Sequence, residues 1–352
     1  MGDQLRVAVV TPLSDELCGL VQRLEPRLEI VCEQALLPPV RYPADHHGDP
    51  SFVRTPAQER RFAEIIADAD ALYGVPGENP AALRRAVETN PRLRWVHTMA
   101  AGGGALVKAA DLSAEQLDRV TFTTSAGVHG GPLAEYALLG LLAGAKNLPR
   151  LQADAAGHEW AQRWLMGQLR EQTVLVVGLG GIGREVARVL AALGTRVIGT
   201  SRRGEPVDGV DGVDEIVHPA ELAAVVGRVD GIVVTLPGTA ATERLVSAEV
   251  LAAVRPGTTL VNVGRGTVID EAALVDALRD GRIGFAALDV FAVEPLAPAS
   301  PLWDLPNVLI SPHNATLTPA EGRRIAELFA DNAGRLLDGR PLRNVVNTVE
   351  FY

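Results

Sequence analysis

Three ionisable side chains in the last third of the sequence suit chemistry on a carbonyl that lies next to a carboxylate. They are Arg265 in LVNVGRGTVID, Glu294 in ALDVFAVEPL and His313 in LISPHNA. An arginine can hold a carboxylate with two parallel hydrogen bonds. A histidine can give a proton to a developing alkoxide near neutral pH, and a neighbouring carboxylate can orient the imidazole. The three residue types therefore predict a substrate clamp, a general acid and the group that orients this acid.

Each of these residues also has a plainer interpretation. An arginine after a strand is often a solvated charge, Glu294 and Pro295 together are typical of a turn, and one histidine among 7 is more often structural. However, all three follow apolar, β-branched runs, at 258–263, 283–289 and 308–310. Because the carboxyl ends of parallel strands meet at one edge of a sheet, we expect the three side chains to lie together there. This shared placement favours the catalytic interpretation.

A glycine-rich turn at the start of the same region predicts a dinucleotide site. The strand 173–177 is followed by GLGGIG, by an apolar helix that Gly194 ends, and by a second strand, 196–200. In this pattern the glycines allow a tight turn, close approach of a pyrophosphate and close packing of the helix, whose N-terminus favours phosphate. The context favours this interpretation over a glycine-rich turn of another α/β protein. The predicted cofactor-binding residues are Gly178, Gly180, Gly181, Ile182 and Gly183, with Val263 and Gly264 after a later strand.

The end of the second strand bears on the choice between NADP and NAD. An NAD site usually has an acidic residue there, which accepts from the ribose hydroxyls. This sequence has Ser201, Arg202 and Arg203 at that place. A hydroxyl and two guanidinium groups suit an additional phosphate, although two strand-end arginines can also be solvated charges. We therefore expect NADP to be preferred, with NAD as the alternative.

Composition and charge exclude several other classes of protein. The sequence has 352 residues, of which 47% are hydrophobic, a net charge of -10 and two cysteines. These values are ordinary for a soluble protein of two domains, and they do not suggest a disulfide framework or binding to nucleic acid or anionic membranes. The N-terminus lacks a signal-peptide pattern, and the most apolar stretch, 136–145, is too short to span a bilayer. We expect a cytoplasmic protein with a small-molecule substrate.

The remaining histidines predict no metal site. His46 and His47 lie between Asp45 and Asp49, and these residue types can bind a metal, but a polar loop is the simpler interpretation. The other histidines lie at strand or helix edges and are expected to be hydrogen-bonded structural groups: His97, His129 and His218.

Two α/β domains are expected to position these residues. The first has strands near 5–10, 28–32, 70–75, 93–98 and 120–124, and the second has six strands between 173 and 310. We expect a fold of two doubly wound parallel-sheet domains, with residues 1–127 and 318–352 forming the substrate domain and residues 128–317 the dinucleotide domain. Capping boxes are expected at Thr55–Gln58 and Thr318–Glu321.

A glycine run after the fourth strand is the candidate substrate contact of the first domain. Ala101, Gly102 and Gly103 are placed where backbone N–H groups can meet a carboxylate, although a plain flexible turn fits the same residues. Pocket walls are expected from residues 99–104, which include this run, and from the loop at 37–55.

From about Arg92 onwards the sequence resembles the D-isomer-specific 2-hydroxyacid dehydrogenase family. The matching motifs are VVGLGGIG, VNVGRGTVID, ALDVFAVEPL and PLWDLPNVLISPH. The resemblance implies a Rossmann domain inserted into a flavodoxin-like substrate domain, and homodimers formed through the cofactor domains. It also implies that Arg265 is the substrate clamp, that Glu294 is the partner of the acid–base His313, and that Asp289 lies near the nicotinamide carboxamide.

Two features of the sequence refine the resemblance. Gly103 and Gly104 replace the Val-Asp that is common in the family's glycine loop, whereas Ser201, Arg202 and Arg203 resemble the NADP-preferring glyoxylate and hydroxypyruvate reductases. Reduction of a small 2-oxo acid is therefore expected, rather than oxidation of phosphoglycerate. The alternative is a dinucleotide-sensing, co-repressor-like binding protein of the same fold with little turnover.

Overall fold

The computed structural model describes residues 4–202, 211–349 and 351. Twelve strands are present in these residues, all in parallel pairs. In chain order they are β1 Leu5–Val9, β2 Leu28–Val31, β3 Ala71–Tyr73, β4 Trp95–Thr98, β5 Thr121–Thr124, β6 Thr173–Val177, β7 Arg196–Thr200, β8 Glu215–Val217, β9 Gly231–Val234, β10 Thr258–Asn262, β11 Ile283–Leu288 and β12 Val308–Ile310.

The α-helices alternate with these strands. In chain order they are α1 Asp15–Leu24, α2 Pro56–Ala67, α3 Pro80–Thr89, α4 Gly104–Ala109, α5 Ala114–Arg119, α6 Gly130–Ala145, α7 Leu148–Ala156, α8 Gly181–Ala192, α9 Leu222–Val225, α10 Ala248–Ala252, α11 Glu271–Arg279 and α12 Glu321–Leu337. Within the described ranges, none is long and apolar enough to cross a membrane.

The two expected capping boxes have different outcomes. The box at Thr55 and Gln58 is confirmed, with both reciprocal hydrogen bonds present at the start of α2. The box at Thr318 and Glu321 is wrong, because α12 begins at Glu321 itself and its N-cap, Ala320, offers no side-chain acceptor. The Oε1 atom of Glu321 instead accepts a hydrogen bond from His129.

The chain divides into two compact units, of which the first comprises Met1–His129 and Leu317–Tyr352. Its sheet has the order β2-β1-β3-β4-β5, which is the flavodoxin-like order of an open, doubly wound sheet. The core of this unit contains a cluster of aromatic rings, with Trp95 stacked on Phe329 of α12 at 4.4 Å and Tyr73 edge-on to Phe329 at 4.9 Å. Helix α12 therefore completes the core of a unit whose five strands lie far before it in the chain, between residues 5 and 124.

The second unit, Gly130–Thr316, contains a seven-stranded sheet in the order β12-β11-β10-β9-β6-β7-β8. The expected six strands are present and β8 is added at the edge next to β7. Successive residues of β6 are buried on opposite faces, with Leu175 and Val177 in one core and Val174 and Val176 in the other. A parallel sheet covered on both faces requires this continuous apolar run. The order matches a Rossmann sheet, as expected.

Candidate active site

The glycine turn after β6 is held in place by threonines from two neighbouring chain segments. The N–H of Gly178 donates to Oγ1 of Thr200, at the end of β7, over 2.9 Å. The hydroxyl of Thr235, just after β9, donates to the carbonyl of Gly178 over 2.7 Å. Gly178 has φ of +106°, a conformation that side chains other than glycine rarely adopt. The turn is therefore fixed by its backbone conformation and by two hydroxyl groups.

The same turn leaves the start of α8 open to a phosphate. A Cβ atom at Gly183 would lie 1.8 Å from the carbonyl oxygen of Gly178, so α8 packs as close to the turn as a glycine permits. A Cβ at Gly180, the N-cap of α8, would have no atom within 4 Å. Gly181 and Ile182 form the first turn of this 12-residue helix, whose N–H groups and dipole favour negative charge. The residues present therefore fit a dinucleotide.

The residues expected to select NADP follow β7. The backbone N–H of Ser201 donates to the carbonyl of Val217 in β8 over 3.1 Å, so Ser201 lies between two strand ends. Arg202 is exposed, and Arg203 lies outside the described residues. No acidic residue occupies these three positions.

Asp289, just after β11, organises the loop that carries His313. Its buried Oδ1 accepts from the hydroxyl of Ser311 over 2.5 Å and from the backbone N–H groups of Asn314 and Ala315 over 3.0 and 3.1 Å. The resemblance implied a position near the nicotinamide, but the sequence did not reveal this positioning role. The only indication of this role in the sequence is that an acidic residue precedes a short strand and a polar loop.

His313 and Glu294 form a hydrogen-bonded pair. Nδ1 of His313 lies 2.8 Å from Oε2 of Glu294, and Oε1 of Glu294 accepts from the N–H of Phe291 over 3.0 Å. An ionised carboxylate only accepts, so Nδ1 carries the proton in this pair and Nε2 is the ring nitrogen left for a ligand. His313 has φ of +54°, a strained conformation for a residue other than glycine. Both side chains are partly exposed, at 40% and 34%.

Arg265 follows β10, the strand next to β11. Its side chain is exposed, and Nη1 donates to the carbonyl of Gly264 over 2.7 Å. Asn262, which sequence reasoning missed, shapes this loop, because its side chain accepts from the N–H of Gly264 over 3.0 Å and donates to the carbonyl of Arg265 over 3.1 Å. Val263 between them is buried. The adjacent strands β10, β11 and β12 thus bring the three candidate catalytic residues, Arg265, Glu294 and His313, to one edge of the sheet.

The glycine run of the first unit follows β4 as a turn. The N–H of Gly103 donates to the carbonyl of Ala100 over 3.2 Å, so this group is occupied within the turn. Among the residues that the structure describes, the N–H groups of Ala101 and Gly102 have no backbone acceptor. Two of the three predicted substrate contacts thus retain a donor for a carboxylate.

A second imidazole–carboxylate pair lies buried in the first unit, and no pattern in the sequence predicts this pairing. Oε1 of Glu321 lies 3.0 Å from Nε2 of His129 and 3.5 Å from Nε2 of His46. Burial raises the pKa of Glu321, but the hydrogen bond from His129 and the nearby imidazole of His46 outweigh it and lower the pKa to about 2. In the described part of the chain, no group of three or more His, Cys, Asp or Glu side chains is arranged to hold a metal ion.

Comparison with known proteins identifies the family. Residues 138–315 match the family described as D-isomer specific 2-hydroxyacid dehydrogenase, NAD binding domain. D-3-phosphoglycerate dehydrogenase of Mycobacterium tuberculosis is 33% identical over 289 residues, which cover 80% of this chain and 53% of that protein. The chain thus spans about half the length of that dehydrogenase.

Two solved structures are similar over nearly the whole chain. A D-isomer specific 2-hydroxyacid dehydrogenase from Xanthobacter autotrophicus Py2, in complex with NADPH and MES, has a TM-score of 0.77 and 28% identity, covering 99% of this chain and 100% of that one. An NADPH-dependent glyoxylate/hydroxypyruvate reductase from Sinorhizobium meliloti, in complex with NADP and sulfate, has a TM-score of 0.75 and 26% identity, covering 99% and 100%. The chain belongs to the D-isomer specific 2-hydroxyacid dehydrogenases, a family of NAD(P)-dependent oxidoreductases.

Proposed function

We propose that this chain reduces small 2-oxo acids, of the glyoxylate or hydroxypyruvate type, to D-2-hydroxy acids. The observation that carries the proposal is the pair of His313 and Glu294, which lies at the edge where β10, β11 and β12 end. A nicotinamide cofactor held at the glycine turn would supply the hydride that the carbonyl carbon accepts. The chain must then supply a proton to the carbonyl oxygen and hold the substrate in place.

His313 supplies that proton. Because Nδ1 is engaged with Glu294, Nε2 is the atom that protonates the developing alkoxide, and the carboxylate stabilises the imidazolium before transfer. In the opposite direction the neutral ring accepts the hydroxyl proton at the same atom. Asp289 acts through the backbone, since it fixes the loop on which His313 lies.

Arg265 is proposed to hold the substrate carboxylate. Its guanidinium is exposed at the end of β10, and one of its nitrogens bonds the carbonyl of Gly264, which orients the remaining donors. A fork of two parallel hydrogen bonds to the carboxylate also places the adjacent carbonyl. Ala101 and Gly102 are proposed as additional donors to the substrate, from the first unit.

The cofactor is proposed to be NADP in preference to NAD. Ser201, Arg202 and Arg203 take the place of an acidic residue, and the relatives with bound NADPH or NADP in their structures support this choice. Gly178, Gly180, Gly181, Ile182 and Gly183 are proposed to hold the pyrophosphate, and Val263 and Gly264 to line the site beyond it.

The test is an assay of several 2-oxo acids with NADPH and with NADH. Wild type should turn over at least one small 2-oxo acid and prefer NADPH. Changing Arg202 and Arg203 to alanine should weaken the binding of NADPH by about 10- to 100-fold for each ordered phosphate contact that is lost. The binding of NADH should be weakened much less. Arg196→Ala is the matched control, since this arginine lies at the exposed start of β7 in an ion pair with Glu215. Tight dinucleotide binding without any turnover would instead favour the co-repressor-like alternative.

A homodimer is proposed on a separate observation. The segment after α7 exposes Trp160 and Leu165 almost completely, and Arg150 lies 4.6 Å over the ring of Trp164. Exposed aromatic and aliphatic side chains in one segment are typical of subunit contacts. Sedimentation velocity of the purified chain, wild type against Trp160→Asp, tests this proposal.

A further inference from the structure

The backbone next to His313 is held by a single oxygen atom of Asp289. The N–H groups of Asn314 and Ala315 both donate to Oδ1 of this carboxylate, over 3.0 and 3.1 Å. The N–H of Asn314 belongs to the peptide group that directly follows His313, so its orientation helps to set the direction in which the backbone presents the imidazole. His313 itself has the left-handed φ of +54°. The position of the imidazole therefore depends on where Oδ1 of Asp289 is held.

Two hydroxyl groups extend this contact from Asp289 to helix α6. Oγ of Ser311 lies 2.5 Å from Oδ1 of Asp289 and 3.1 Å from the hydroxyl oxygen of Tyr136. A serine hydroxyl has one proton and an ionised carboxylate only accepts, so Ser311 donates to Asp289 and Tyr136 donates to Ser311. Burial raises the pKa of Tyr136, and the charge of Asp289 adds to this effect, so the phenol keeps its proton. In such a chain of donors each hydrogen bond strengthens the next.

Helix α6 lies close enough to the sheet for a tyrosine to reach the end of β12. Tyr136, Gly140 and Gly144 are spaced by four residues and therefore share one face of the helix. A Cβ atom at Gly140 would lie 2.7 Å from side-chain atoms of β10 and β11, and a Cβ atom at Gly144 would lie 2.0 Å from a hydroxyl oxygen of β10. The two glycines thus allow the close approach that brings Tyr136 to Ser311. All of these residues belong to the second unit.

Packing explains the ring of Tyr136 but not its hydroxyl. The ring is half-buried and packs against the apolar core that α6 shares with the sheet, where a phenylalanine would fill nearly the same space. A buried hydroxyl costs free energy unless it forms a hydrogen bond. Among the residues that the structure describes, its partner is Ser311 alone. The hydroxyl therefore serves the contact with Ser311.

We propose that Tyr136 and Ser311 are positioning residues for proton transfer by His313. Their hydroxyl groups hold Oδ1 of Asp289 in place, and Oδ1 holds the peptide group that follows His313. Within the described part of the chain, neither hydroxyl forms a hydrogen bond with the imidazole, so both act through Asp289. The inference rests on the proposed reduction of 2-oxo acids, in which His313 gives the proton, and it adds the residues that direct this group.

The first test removes each hydroxyl in turn. Tyr136→Phe keeps the ring, and kcat for reduction should fall about 3- to 10-fold, the usual effect of one neutral hydrogen bond. Ser311→Ala removes a bond to a charged group and should lower kcat about 10- to 100-fold. Ser311→Thr retains the hydroxyl and should keep most of the activity. KM for the 2-oxo acid should change little in all three variants, because neither residue is part of the proposed carboxylate clamp.

Combined variants show whether the two hydroxyls act in series and through the imidazole. The double variant Tyr136→Phe, Ser311→Ala should be no slower than Ser311→Ala alone, because Tyr136 acts only through Ser311. In the His313→Asn background neither substitution should lower the remaining rate further. Wild-type kcat in Tyr136→Phe, additive losses in the double variant, or the same loss without the imidazole would each overturn the inference.

Tyr73→Phe is the matched control for removal of a buried tyrosine hydroxyl. The hydroxyl oxygen of Tyr73 is buried and has no hydrogen-bond partner among the described residues, so its removal should leave kcat unchanged. Melting temperatures identify any variant that fails to fold. If Ser311→Ala is one of them, Tyr136→Phe and Ser311→Thr carry the test, because both preserve the packing of the loop.

Hydrogen exchange tests the inference without turnover. The backbone N–H groups of Asn314 and Ala315 should exchange with deuterium about 3- to 10-fold faster in Tyr136→Phe than in wild type, since their acceptor is held less firmly. The N–H of Phe291, which donates to Glu294, should exchange at the same rate in both proteins. If wild type turns over no 2-oxo acid, the proposed function fails and this measurement still decides the positioning role. Unchanged exchange at Asn314 and Ala315 overturns that role whether or not the protein is active.

Discussion

The two imidazole–carboxylate pairs of this protein have nearly the same length but different surroundings. His313 and Glu294 are 2.8 Å apart with side chains 40% and 34% exposed, whereas His129 and Glu321 are 3.0 Å apart with 8% and 5% exposed. The first pair lies at the carboxyl edge of the seven-stranded sheet. The second lies at the start of α12, where the helix dipole also favours a carboxylate.

The difference indicates which pair can perform chemistry. A group that gives a proton to a substrate must be reachable, and His313 keeps Nε2 for this purpose. Glu321 is enclosed by His129 and His46, and its pKa of about 2 keeps the carboxylate charged across the physiological range. A charge that is buried and paired in this way contributes to the stability of the fold, because loss of one partner leaves the other unpaired.

The largest expected effect is the loss of activity on removal of the His313 imidazole. His313→Asn should lower the rate of 2-oxo acid reduction about 100- to 10,000-fold, the usual contribution of a general acid. Asparagine tolerates the left-handed backbone, so the free energy of unfolding should change by less than about 1 kcal/mol. The measurements are steady-state kinetics and urea unfolding.

A second histidine provides the control for this variant. His158 has the same φ of +54° and is exposed in the segment after α7. His158→Asn should retain both activity and stability. Near-wild-type rates in His313→Asn would show that the exposed pair is not the acid–base pair.

Substitution in the buried pair should lower the stability of the protein and leave its activity largely unchanged. Glu321→Gln removes the charge from a site with two imidazoles, and we expect the free energy of unfolding to fall by about 2–4 kcal/mol. The activity of the fraction that remains folded should be largely retained. Glu327→Gln is the control, because Glu327 forms an exposed ion pair with Arg323 on the same helix. It should lower the free energy of unfolding by at most about 1 kcal/mol.

The pH dependence of stability gives a second measurement of the Glu321 contribution. The pKa of this carboxyl is about 2 in the folded protein, against an ordinary value of 4.5. A lowered folded-state pKa means that the contribution is complete above the unfolded value and is lost as pH falls towards the folded value. The difference in melting temperature between wild type and Glu321→Gln should therefore be constant near pH 6 and shrink below about pH 4.5. A difference that is independent of pH would contradict this assignment.

The fold could be predicted because its signals are local. The apolar run of β6 and the glycines after it specify a buried strand, a turn and a helix within a few residues of one another. The strand β8 was missed because it has three residues at the sheet edge, where only partial burial is required of its side chains. The capping box at Thr318 failed because α12 begins only at Glu321, and Oε1 of Glu321 bonds the distant His129, a contact that the spacing of residues in the sequence does not contain.

The sequence predicted the candidate site residues whose positions follow from the ends of strands. It did not predict the contacts that form between loops. Arg265, Glu294 and His313 could be placed because neighbouring parallel strands end at one edge. The supporting roles of Asn262 and Asp289 depend on side-chain to backbone hydrogen bonds within loops, which have no periodic pattern. The pairing of His46 and Glu321 joins residues 275 positions apart in the sequence, beyond the reach of local reasoning.

The smallest expected effect concerns the charge of the exposed pair. Glu294→Gln keeps the shape of the side chain and can still accept from Nδ1 of His313, but the imidazolium loses its counter-charge. We expect kcat for reduction to fall about 10-fold, in line with the loss of one charge-assisted hydrogen bond of about 1.5 kcal/mol. The Kd for NADPH and the melting temperature should stay close to those of wild type, because the carboxylate is partly exposed and is not part of the glycine turn proposed to hold the cofactor.

Glu271→Gln distinguishes this loss of charge from loss of support for the loop. Glu271 accepts from the N–H of Ala292 over 3.0 Å, so it holds the same loop as Glu294 without contacting the imidazole. If Glu294 acts through its charge on His313, only Glu294→Gln lowers kcat, and in the His313→Asn background the same substitution has no further effect. Equal losses in the two glutamine variants would mean that the carboxylates only shape the loop. The exposed pair would then resemble the buried one in function, and the distinction between them would fail.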